Sequence, residues 1–174
     1  MTMTKTKAII IDANCFSGKN FRNEIKKAIS DGSMCAIVSE NGKLAKELKV
    51  ANVKRFTEFS KARRFYKVCN DCVERKTQHL QSLNTLTCND AHVIALAVVS
   101  GANTLLSNDA NLIADFGNCN FIERSSACVR RRGRVIQRRA IRHTSPNSRS
   151  VRDILRDASA KYEHCECKCN QRGC

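Results

Sequence analysis

The sequence predicts an α/β fold: a three-layer α/β/α sandwich around a mainly parallel central sheet. Three observations predict it. Short apolar runs recur at residues 7–11, 34–38 and 104–107. The stretches between them carry apolar residues at spacings of three and four, the helical period. Strands and helices therefore alternate along the chain, which favours parallel pairing through helical crossovers.

Each element has its own local reason. Residues 7–11 hold the run Ala8-Ile9-Ile10-Ile11 and read as a buried strand that stops at Asp12. Residues 16–30 read as one helix with Phe21, Ile25, Ala28 and Ile29 on its apolar face. Asp31-Gly32 ends it. Residues 34–38 form a second short strand, and Ser39 can cap a helix running to about Lys49. Across residues 54–86, Phe56, Phe59, Ala62, Tyr66, Cys69 and Val73 keep helical spacing, which predicts two consecutive helices. Asn89 or Asp90 caps the next helix and Gly101 closes it. A strand at 104–107, a short helix at 110–115 and a last strand at 120–122 complete the pattern.

Charge divides the chain into three. Residues 1–123 hold 17 Lys+Arg against 12 Asp+Glu, a net of +5, as expected of a folded domain. Residues 124–156 hold 11 Arg, no Lys and one acid, Asp153, so +10 of the total +15 sits there. Residues 157–174 are neutral and end in a cysteine cluster. An all-arginine excess favours a polyanionic partner, with nucleic acid first among them. Arg130, Arg131, Arg132, Arg134, Arg138, Arg139 and Arg142 form its core. If that segment is helical, Arg131, Arg134, Arg138 and Arg142 share one face. Guanidinium pairs bidentately with phosphate and stacks on bases. With few aromatics nearby, backbone contact with a steep salt dependence is expected rather than sequence readout. A solubilising tail and a dock for an acidic protein partner are the alternatives.

The 11 cysteines, the polar start and the absence of a long apolar stretch predict a cytoplasmic chain with reduced thiols and no membrane contact. Cys15, Cys35 and Cys88 lie among apolar neighbours and read as small core residues. Cys165, Cys167, Cys169 and Cys174, with His164 beside them, have the residue types of a zinc knuckle. Zn²⁺ there is weighed against reactive or unstructured thiols. Cys69-Asn70-Asp71-Cys72 has zinc-like spacing but no second pair, and reads as two helix residues. Gly18-Lys19 lacks both the upstream glycine and the following Ser/Thr of a phosphate loop.

The chemistry-bearing residues are acids. Asp12 ends the first strand, Asp90 opens an apolar helix and Asp109 follows the 104–107 strand. Glu47, or Glu40 as the alternative, lies between them. Acids at strand ends and helix starts can converge at one edge of an open α/β sheet, where such folds bind ligands. Grouped carboxylates repel unless a cation neutralises them, and oxygen donors suit Mg²⁺ or Mn²⁺. Taken singly, each acid is as well explained as a helix cap. His92, one turn into the helix after Asp90, reads as a packed or exposed helical histidine rather than as a ligand or base.

Three blocks carry a family resemblance: Ile11-Asp12-Ala13-Asn14, Asn89-Asp90-Ala91-His92-Val93-Ile94-Ala95, and Leu105-Leu106-Ser107-Asn108-Asp109-Ala110-Asn111. A middle block runs from Val38 to Leu48. In this order they resemble a PIN domain over residues 7–123. The resemblance implies a PIN-like α/β/α fold and a metal-dependent ribonuclease. It implies Asp12, Asp90 and Asp109 as catalytic, metal-binding acids with a fourth on the second helix, for which Glu47 is preferred. It also implies supporting roles for Asn14 and Ser107, and Asn111 stands where many members carry another acid. RNA as substrate, an antitoxin partner and a homodimer are family expectations too. A non-cutting RNA-binding module and a DNA-acting 5′-nuclease are the competing functions.

Overall fold

A computed structural model describes residues 7–17, 23–102, 104–118 and 139–142. Its centre is the apolar run of the first strand, β1 (Lys7–Ile11), in which Ile9, Ile10 and Ile11 have no exposed surface. A strand buried on both faces must be covered on both, so helices flank it on either side.

The other strands add to it in parallel. β2 (Met34–Ser39) pairs with β1 through Lys7↔Met34 to Ile9↔Ala36. β3 (Phe65–Val68) pairs with β2, and β4 (Thr104–Ser107) lies on the other side of β1 through Ile10↔Leu105 and Ile11↔Leu106. The fifth strand, β5 (Arg139–Arg142), pairs with β4. The order is β3-β2-β1-β4-β5, every pairing parallel, so the expected α/β sandwich with its parallel sheet is the fold observed.

Seven helices lie among the described residues: α1 (Ala13–Phe16), α2 (Asn23–Ser30), α3 (Lys43–Ala51), α4 (Val53–Lys61), α5 (Asn70–Ser82), α6 (Ala91–Ser100) and α7 (Ala110–Gly117). The sequence of α6, AHVIALAVVS, is apolar all round, and nine of its ten residues are buried. A helix with no polar face belongs inside. No helix among the described residues is long and apolar enough to cross a membrane.

Three local expectations are corrected. Residues 16–30 do not form one helix: α1 stops at Phe16 and α2 starts at Asn23. The residue that caps α3 is Gly42, not Ser39, which is the last residue of β2. The chain leaves β2 through a turn with Asn41 at φ 56°, so the helix starts four residues after Ser39. Residues 54–86 are not two consecutive helices, because β3 intervenes. Its side chains Phe65 and Tyr66 are only half-buried, and they extend the three-and-four spacing of the helices on either side. The backbone of 139–142, which the sequence left open, is extended, because β4 offers it a ladder of hydrogen bonds. The expected strand at 120–122, the arginines from Arg130 to Arg138 and the cysteine tail lie outside the described residues.

Glycine is required at two positions. Gly32, at φ 85°, makes the turn after Asp31 and lies against the Arg64 guanidinium. Gly42 leaves room for the Ser39 hydroxyl and the Asn70 side-chain oxygen, both of which a Cβ there would overlap.

Candidate active site at the carboxyl edge of the sheet

The strand order reverses at β1: β2 and β3 lie on one side, β4 and β5 on the other. The crevice outside the carboxyl ends of the strands at such a switch point is where open α/β sheets bind ligands. Asp12 leaves β1 at that point, and Ser107 closes β4 beside it.

Asp12 and Asp109 are joined by one hydroxyl. Ser107, fully buried, donates from Oγ to Asp12 Oδ2 at 2.7 Å and accepts the Asp109 N–H at 3.0 Å. Both acids also cap helices. Asp12 accepts the Asn14 N–H at 3.3 Å at the start of α1. Asp109 Oδ1 accepts the Asn111 and Leu112 N–H groups at 2.8 and 3.0 Å at the start of α7. Asn14 and Asn111 thus enter through their backbone N–H groups.

Glu47 and Asp90 are joined by an imidazole. His92 is 7% exposed. Its Nε2 lies 3.0 Å from Glu47 Oε2, and its Nδ1 lies 3.9 Å from Asp90 Oδ1. Burial pushes the His92 pKa below the ordinary value, more than the Glu47 carboxylate beside it pulls it up. The ring is therefore neutral at pH 7 and donates its one N–H to Glu47. Lys43, one turn before Glu47 on α3, approaches its other oxygen at 3.7 Å. Asp90 occupies the N-cap position of α6 but makes no side-chain cap hydrogen bond. Its carboxylate is thus not spent on the helix.

Three of these acids meet in one opening. Asp12, Glu47 and Asp90 line a cleft of about 580 Å³, together with Asn14, Lys46 and Val50. Asp109 stands behind Ser107 and does not line it. Glu40 is elsewhere: exposed at the end of β2, with its carboxylate 3.2 Å from Lys67 Nζ. Glu47 is therefore the glutamate at the cleft. Among the described residues, no three carboxylate, thiol or imidazole groups are close enough to share one metal ion as they stand.

Two residues matter here that sequence reasoning passed over or set aside. His92 was legible as a neighbour of Asp90, but only the fold puts Glu47 against it. Asp115 is 4% exposed and accepts from the Thr87 N–H, the Cys88 N–H and the Thr87 hydroxyl at 2.8–2.9 Å. It pins the loop that leads to Asp90, and no local signal announces a partner 28 residues away. Cys15 and Cys88 are buried thiols whose pKa values burial raises to about 12, which keeps them unreactive.

Comparison with protein-family models, curated proteins and solved structures found no match for this chain.

Proposed function

We propose that this chain is a divalent-metal-dependent endoribonuclease of the PIN kind, hydrolysing RNA phosphodiester bonds at the cleft that the end of β1 and α1 form with α3 and the start of α6. The observation that carries the reading is that Asp12, Glu47 and Asp90, drawn from three separate stretches of chain, line one opening at the switch point of the sheet. Carboxylates grouped in a crevice point to function, though not uniquely.

The donor chemistry suits a hard cation such as Mg²⁺ or Mn²⁺, because every candidate ligand at the cleft is a carboxylate oxygen. Asp12, Glu47 and Asp90 would hold it only after their side chains drew closer than they stand here, with Asp109 tied to Asp12 through Ser107. When bound, such an ion supplies a lowered water pKa and charge neutralisation at phosphate. The remaining work falls to the chain. Ser107 fixes the Asp12 carboxylate through its 2.7 Å hydrogen bond. His92 fixes Glu47 and keeps its oxygen from turning away. The Lys46 side chain at the rim offers a positive charge to the incoming phosphate backbone. The arginines of 124–156 add long-range attraction for a polyanion, and β5 ties part of that segment to the sheet beside β4.

A second reading is favoured by one specific observation. Because no three ligating groups are gathered in the described residues, a PIN-like module that grips RNA without cutting it is the alternative. One assay separates the two. Single-stranded RNA is incubated with the protein in Mg²⁺ or Mn²⁺, with and without EDTA. The enzyme reading expects cleavage that EDTA abolishes and Asp12→Asn removes while binding persists. Binding without cleavage in either metal would leave the module reading standing. Cleavage of single-stranded DNA alone would point to the 5′-nuclease class instead. An antitoxin-like acidic partner, a homodimer and Zn²⁺ on Cys165, Cys167, Cys169 and Cys174 belong to this proposal as expectations; zinc content unchanged by deleting residues 157–174 would remove the last.

A further inference from the structure

A second cavity adjoins the cleft. It encloses about 240 Å³ between α3, α5 and α6, and its wall includes Ser39, Lys43, Asn70, Thr77, Gln78 and His92. His92 belongs to both openings: it lines this cavity and hydrogen-bonds the Glu47 that lines the cleft. The partition between them is therefore one row of side chains, Lys43–Glu47–His92.

The lining is unusual for a packing defect. Voids left by imperfect packing are apolar and stay dry. Here Ser39, the last residue of β2 and 2% exposed, adds a hydroxyl to the wall. The absence of a side chain at Gly42 leaves the Ser39 hydroxyl and the Asn70 side-chain oxygen unobstructed. Thr77 Oγ donates to the Val73 carbonyl at 2.8 Å, so its lone pairs remain to accept. Asn70 Nδ2 is spent on Glu74 at 2.6 Å, which leaves its carbonyl oxygen as an acceptor. Gln78 adds an amide with both donor and acceptor. The apolar part of the wall comes from Leu44, Val73 and Leu96.

We propose that this cavity is a nucleobase subsite, which receives one base splayed from the RNA strand whose phosphate lies in the cleft. This rests on the ribonuclease reading above. Three properties fit a base. The volume falls below the ~300 Å³ at which pockets begin to hold drug-sized ligands. The aliphatic walls can cover the faces of a base, and the amide and hydroxyl groups can hydrogen-bond its edge. The cation of Lys43 stands at the partition, where the backbone linking base and scissile phosphate would pass.

The test uses the full-length protein in two arms. In the first, cleavage rates are measured on oligo-U, oligo-C, oligo-A and oligo-G in Mn²⁺. A subsite predicts at least about tenfold preference for one base, the scale at which a site hydrogen-bonding its ligand discriminates. Gln78→Ala with Ser39→Ala lowers the rate on the preferred oligomer to that of the others, and Glu24→Ala, remote from both openings, keeps the preference. Equal rates on all four oligomers, or a preference surviving Ser39→Ala/Gln78→Ala, overturns the subsite while leaving the nuclease intact. The second arm needs no activity. Each nucleoside 5′-monophosphate is titrated in EDTA while backbone amide chemical shifts are followed. Shifts clustered at Ser39, Gly42, Asn70, Thr77 and Gln78 support the subsite even if no cleavage is seen. Shifts absent there, or confined to Asp12, Asn14 and Glu47, overturn it.

Discussion

The two pairs of acids at the sheet edge are built on opposite plans. Asp12 and Asp109 are tied to backbone: each caps a helix, and a buried serine hydroxyl links them. Glu47 and Asp90 are tied to neither helix backbone, and the group between them is an imidazole. The first pair serves the fold as well as any chemistry. The second pair makes no helix cap: Glu47 holds the buried His92 ring and meets Lys43, and Asp90 stands 3.9 Å from the same ring. A residue with a cap to make can be accounted for by stability alone. A carboxylate at an N-cap position that makes no cap bond cannot, and Asp90 is the sharper pointer to function for that reason.

The largest expected effect separates the two pairs directly. Asp12→Asn and Glu47→Gln should each lower RNA cleavage by at least about 100-fold, since electrostatic stabilisation by a held cation supplies several kcal/mol and each 1.4 kcal/mol is tenfold. Their stabilities should differ. Glu47→Gln keeps the unfolding free energy within about 0.5 kcal/mol, as for a residue outside core and caps. Asp12→Asn lowers it measurably in urea titration, because an amide replaces a charge that takes the Ser107 hydroxyl. Cleavage within threefold of wild type for either variant would remove that acid from the site.

Next in size is Asp115→Ala. It should cost about 1–2 kcal/mol in urea unfolding, because it strands the buried Cys88 N–H and removes two part-buried hydrogen bonds to Thr87. It should also loosen the loop before Asp90, so hydrogen exchange at Thr87 and Cys88 should speed up. A cost under about 0.5 kcal/mol would show that the loop is held by something else.

Ser107→Ala follows, at a similar cost of about 1–2 kcal/mol, from the same accounting applied to one buried hydroxyl with two partners. It sharpens the comparison because it touches only the first pair. Glu47 and Asp90 should keep their positions, so RNA binding should persist while cleavage falls. Binding lost together with cleavage would mean that the two pairs form one cooperative unit.

How much of this was legible before folding can be argued residue by residue. β1, β2 and β4 announced themselves because strands covered on both faces need continuous apolar runs. β3 did not, since two half-buried residues, one exposed and one buried leave no alternation to detect, and Tyr66 falls in step with Phe59 and Val73 on the helical period. β5 was hidden for another reason: nothing within Arg139–Arg142 favours a strand, and its ladder comes wholly from β4. Asp12, Asp90 and Asp109 were visible as acids at element boundaries. That Asp12 and Asp90 share a cleft while Asp109 stands behind it depends on registers that sequence spacing does not encode. The contact between Glu47 and His92 spans 45 residues and belongs to tertiary structure alone.

The smallest effect tests the imidazole plan itself. In the folded protein burial holds the His92 pKa below its ordinary value of about 6.5. Near and below that pH the unfolded chain binds a proton that the folded chain does not. Stability therefore rises with pH across this window and is fully present above it. On acidification it falls as the pH drops through about 6.5 toward the lower folded value. A serine hydroxyl cannot do this, so the dependence belongs to the second pair alone. His92→Gln keeps a donor for Glu47 but does not titrate there. Urea titrations of both proteins in EDTA at pH 8, 7, 6 and 5 should show the wild type losing more stability than His92→Gln between pH 7 and pH 5. Parallel curves would mean that the pull of Glu47 and Asp90 cancels burial, and a wild type that loses less stability than His92→Gln would mean that their pull outweighs it.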